Sequence, residues 1–138
     1  MGYNVFLATP KGMDAETVQR HYDTVVSKFT PALNGIELTL VKAEDDHREH
    51  FGRCGGWDAW ARDVGRGVDY LARTPRYNAI VCVQQAVGKA TAAIVQYALE
   101  GNRMVVLLQP DGQAVRVAAV DTLDANNYVA GWILRLDN

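Results

Sequence analysis

The stretch from Tyr77 to Asp111, YNAIVCVQQAVGKATAAIVQYALEGNRMVVLLQPD, constrains the fold more than any other part of the chain. An apolar run from Asn78 to Gln85 leads into a loop bearing Gly88, then an alanine-rich helical segment from about Lys89 to Glu100. A tight turn at Gly101 and a second apolar run, Met104 to Gln109, follow. This is one strand–helix–strand unit with few surplus residues, and such units build parallel sheets.

The rest of the chain repeats the alternation. Tyr3 to Thr9 is a short apolar run ending in Pro10-Lys11-Gly12, the pattern of a buried first strand and its loop. A helix is predicted from about Asp14 to Thr30, with Val18, Tyr22, Val25, Val26 and Phe29 on one stripe. Pro31 disfavours helix at the residue before it, and Asn34-Gly35 supplies a turn. Ile36 to Val41 reads as a second strand. Lys42 to Gly56 is polar and reads as a long loop. A helix from Trp57 to about Arg73 would bury Trp57, Trp60, Ala61, Val64, Val68, Leu71 and Ala72. After the Asp111-Gly112 turn, Val115 to Val120 and Tyr128 to Leu136 read as two further strands joined by the Asp121 to Asn127 loop. The 138 residues make one domain, 1–138, with a single core.

Composition narrows the function classes. A formal charge of −2 gives no electrostatic footprint for a nucleic-acid duplex. Two cysteines do not make a disulfide framework, and Cys82 sits in an apolar run as a small hydrophobe. No run approaches the roughly 18 apolar residues that span a membrane. The chain enters a strand at once, without a signal-peptide pattern, so the expected compartment is cytoplasmic.

The second half of the Tyr77–Asp111 unit resembles the nucleoside 2-deoxyribosyltransferases. Tyr97-Ala98-Leu99, Gly101 and Val105 to Leu108 through Pro110-Asp111 fall into that family's helix–turn–strand register. The resemblance is weaker over Trp57 to Arg73 and faint at the first strand. It implies a flavodoxin-like or Rossmann-like α/β fold: a mostly parallel sheet with helices on both faces, here followed by a C-terminal β-hairpin. It also implies a nucleoside or nucleotide ligand. Two of the family's three acids do not match. The position of the nucleophilic Glu is Ile94, and that of a second acid is Gly88. Asp69 is similar to the acid that assists proton transfer at the base, and is the candidate catalytic residue. Retaining glycosyl transfer needs a carboxylate beneath the anomeric carbon, and Ile94 has no nucleophilic atom. The resemblance would allow N-glycosidic transfer or hydrolysis, yet it supplies no nucleophile. The alternative is a non-catalytic interaction module with a vestigial crevice.

In a parallel sheet of order 2-1-3-4, ligands bind beyond the carboxyl ends of the strands where the order reverses. That places Thr9, Lys11 and Gly12 opposite Gln84, Gln85, Gly88 and Lys89. The N-termini of the helices after strands one and three would offer free N–H groups there. Trp57 is a candidate platform for a base. Gly88-Lys89-Ala90-Thr91 is faintly similar to the end of a P-loop, but the upstream glycine position is Val83.

Other acids are weaker candidates. Asp58 and Asp69 share an azimuth but stand about 16 Å apart along their helix. Glu100 lies at the far end of its helix and reads as solvated. His47, His50, Asp46 and Cys54 match no established zinc spacing. The reading therefore calls for no metal and no cofactor. The apolar C-terminal pair, anchored on Trp132, leaves an edge that self-association would cover, so a homodimer or larger assembly is expected.

Overall fold

The computed structural model describes residues 2–10, 12–42, 77–122 and 131–137. The elements are β1 (Tyr3–Ala8), α1 (Ala15–Leu33), β2 (Leu38–Lys42), β3 (Ala79–Cys82), β4 (Ala86–Val87), α2 (Lys89–Glu100), β5 (Met104–Leu108), β6 (Ala114–Thr122) and β7 (Trp132–Leu136). The helix expected over 57–73 and the loop expected over 42–56, beyond Lys42, lie outside the described residues.

The seven strands among the described residues form one sheet of order β2-β1-β3-β5-β6-β7-β4. The first four run parallel, with Val5 beside Ala79 and Leu40, and Val81 beside Val106. β6 then turns back antiparallel to β5, β7 to β6, and β4 to β7. The flavodoxin-like or Rossmann-like sheet is therefore corrected: this is a mixed sheet curled into a half-barrel, with two helices among the described residues.

Chain length alone forces that curl. Cys82 and Ala86 are four residues apart, a reach of at most about 15 Å at 3.8 Å per Cα step. Yet β3 and β4 are separated by four strand-to-strand steps, about 19 Å in a flat sheet at roughly 4.8 Å each. Only a curled sheet lets one short connection join them. β6 supplies the bend. Its first residues, Ala114 to Arg116, pair with β5, whereas Val117 to Thr122 pair with β7, and the register slips between Val117 and Ala119. A bulge of this kind bends the strand and increases its twist.

Each face has its own core. On one, Val5, Leu7, Ala79, Val81, Val106 and Leu108 pack with Val25 of α1, flanked by Tyr22 and Phe29. On the other, Phe6, Ile80, Cys82, Val105 and Leu107 join Ile94, Val95 and Ala98 of α2, and Val117 and Leu134 complete the cluster. The residues alternate face by face along β1, β3 and β5, as the pleat requires. α2 touches β3, β4, β5, β6 and β7, so the half-barrel wraps around it.

Local chemistry sets the helix ends. Asp14 caps α1: its carboxylate accepts from the Thr17 N–H at 3.1 Å and from the Thr17 hydroxyl at 2.6 Å. The helix continues three residues beyond the predicted Thr30 and carries Pro31 inside it. The ring removes the hydrogen bond to the Ser27 carbonyl, which lies on an exposed residue where water can serve. Asn34, in the left-handed conformation, ends it instead. At the end of α2 the left-handed residue is Asn102 (φ 57°), not Gly101. The Arg103 N–H donates to the Ala98 carbonyl and the Asn102 N–H to that of Leu99, the Schellman arrangement.

Among the described residues, no helix is long and apolar enough to cross a membrane.

Candidate functional site

β1 and β3 are neighbours, with Ala8 beside Cys82, so their loops leave the sheet side by side. Thr9 is half-buried at the root of the first loop. The Met13 N–H donates to the Pro10 carbonyl at 3.3 Å, and Gly12 takes φ 89° at the third position of that turn. A side chain there would be strained, so this glycine is demanded by backbone geometry. Lys11 lies outside the described residues.

The start of α1 does not offer what the sequence suggested. The Asp14 carboxylate already occupies it. Hydrogen bonds from the Thr17 hydroxyl and backbone N–H hold the Asp14 carboxyl below the ordinary carboxylate range, so it is charged at neutral pH. A second anion would meet a fixed negative charge.

The loop after β3 is also more committed than expected. Asn78 to Gln85 was predicted as one strand, but β3 ends at Cys82 and the chain turns onto β7. The Gln85 carbonyl accepts from the Leu134 N–H at 2.9 Å, and the Gln85 amide donates back to the Leu134 carbonyl at 3.0 Å. Ala86 then pairs with Ile133 and Val87 with Trp132. Gln85 is thus a fastening of β4 to β7, while Gln84 remains exposed. The edge expected along the C-terminal strand is covered at Ile133 and Trp132 by β4.

Immediately after β4 comes the start of α2. Gly88 is its N-cap, extended at φ −80° and ψ 174°, with no side-chain cap. The first helical bond runs from the Ala92 N–H to the Gly88 carbonyl at 2.9 Å. The N–H groups of Lys89, Ala90 and Thr91 therefore have no partner within the helix. Gly88 is exposed, and a Cβ built there meets no atom within 4 Å. Neither conformation nor crowding requires glycine at this cap.

The pairing of Val87 with Trp132 brings an aromatic to within one residue of that cap. Directly paired residues project to the same face of a sheet, and Val87 packs against the α2 core. Trp132 accordingly lies on the inner face of the curl, half-buried. The sequence offers Trp132 as the anchor either of a sheet extension or of a subunit contact, and in the structure it pairs within the sheet, with Val87 and Thr122. The signal that relates it to Gly88 is a strand pairing across 45 residues, which no local pattern carries.

The remaining candidates separate cleanly. Ile94 is 3% exposed and belongs to the core around α2, so it is a packing residue. Cys82 is fully buried, and burial pushes its thiol up to about 12, leaving it protonated and inert as a nucleophile at neutral pH. Glu100 is exposed at the end of α2. Asp58, Asp69, Trp57 and the His47–Cys54 loop lie outside the described residues. Among the described residues, no three His, Cys, Asp or Glu side chains are grouped to hold a metal ion.

Comparison with known proteins adds nothing to this geometry: no family model, curated protein or solved structure matches the chain.

Proposed function

We propose that this protein binds a nucleoside or nucleotide at the start of α2, with the phosphate or ribose on the free N–H groups after Gly88 and the base against Trp132. The observation that carries this reading is the uncapped, exposed N-terminus of α2, one residue from a half-buried tryptophan. Helix N-termini favour anions because their N–H groups and the helix dipole point at the ligand. An aromatic ring beside such a site supplies the stacking surface a base uses. Thr9, Gly12 and Gln84 stand at the roots of the two adjoining loops. Covalent glycosyl transfer of the deoxyribosyltransferase kind is not part of the proposal, because Ile94 fills the position where its nucleophile would stand.

A melting screen tests it. A ligand present at about 100 times its dissociation constant should stabilise the fold by roughly 2.7 kcal/mol. Deoxynucleosides, deoxynucleotides and ribonucleotides at millimolar concentration should include at least one that raises the transition. Gly88→Asp separates binding from folding. A carboxylate at the cap should stabilise α2 by a few tenths of a kcal/mol or more, yet block and repel an anionic ligand. The expected result is a higher melting temperature and a lost ligand shift in the same variant.

The second reading is a non-catalytic interaction module. Its support is the capture of Gln85 to Val87 by β7, which fills part of the loop where a crevice was expected. A screen in which no nucleoside or nucleotide shifts the transition would leave this reading in place.

A further inference from the structure

We draw no further inference here: the strongest candidate, the open groove of about 460 Å³ between α1 (Asp23, Thr24, Ser27, Lys28) and the β5–β6 turn (Asp111, Gly112, Gln113), is lined largely by exposed polar side chains of mixed charge, and nothing in it selects a ligand.

Discussion

The two helices among the described residues are held in opposite ways. α1 is 19 residues long and lies on the parallel strands, yet only Val25 of its side chains is fully buried. α2 is 12 residues long and buries Ala92, Ile94, Val95 and Ala98. The difference comes from the sheet. A gently twisted parallel sheet meets a helix along one stripe, whereas a sheet that curls presents several strands to it at once. α1 depends correspondingly on its own ends, the Asp14 cap and the left-handed Asn34. α2 has no side-chain cap and depends on enclosure. Packing of its apolar side inside the half-barrel therefore holds α2 without a side-chain cap, and its first N–H groups stay open to solvent beyond the exposed Gly88, which is the feature the proposed binding site uses.

Two leucines put this comparison to its strongest test. Leu7 of β1 and Leu134 of β7 are both 0% exposed, one in each core. Truncating either to alanine should cost about 2–5 kcal/mol in urea unfolding. A cost below about 1 kcal/mol for Leu134→Ala, beside a full cost for Leu7→Ala, would mean that the curled strands do not share the core of the parallel ones.

Cys82 gives the next largest effect. Its folded pKa, about 12, lies above the unfolded value near 8.5. Above that unfolded value the unfolded chain loses the proton while the folded chain keeps it. Stability is therefore unaffected by this group below about pH 8 and falls as pH rises toward 12, by about 1.4 kcal/mol per unit. Cys82→Ala should flatten that part of the profile. An unchanged slope would show that the thiol is less enclosed by the α2 core than its 1% exposure implies.

Fastening by Gln85 is a smaller term. Gln85→Ala removes the side-chain bond to the Leu134 carbonyl but keeps the backbone bond, and should cost about 1 kcal/mol. Amide exchange at Leu134 should speed up selectively. If exchange there is unaltered, β4 is held by the ladder alone.

The smallest effect is expected on the outer surface of the curl. Arg135 and Asp121 approach to 3.7 Å with side chains 63% and 47% exposed. Arg135→Ala should change stability by less than about 1 kcal/mol, and still less in high salt. A larger, salt-insensitive loss in thermal unfolding would mean that this ion pair helps to set the bend of β6.

Periodicity alone determined much of the local structure. Lys89 to Glu100 is a helix with the predicted bounds, because its alanines and single apolar stripe favour no other state. The strands at Tyr3, Met104 and Val115 were legible within two residues, since continuous apolar runs between turn residues have few alternatives. The four parallel strands also lie in the order inferred for them.

What tertiary structure decided was partnership. Ala86 and Val87 are too short to announce a strand, and only the free edge of β7 makes them one. The bulge in β6, which turns a flat arrangement into a half-barrel, involves Val117 to Ala119, residues with no turn signature. Pro31 argued for an earlier end to α1, but Phe29 on the sheet and Asn34 beyond it carried the helix through. The candidate site divides in the same way. Gly88 at the head of α2 could be read from the chain, because capping is a matter of adjacent residues. Trp132 beside it could not, because it arrives through a pairing 45 residues away that exists only once the sheet has curled.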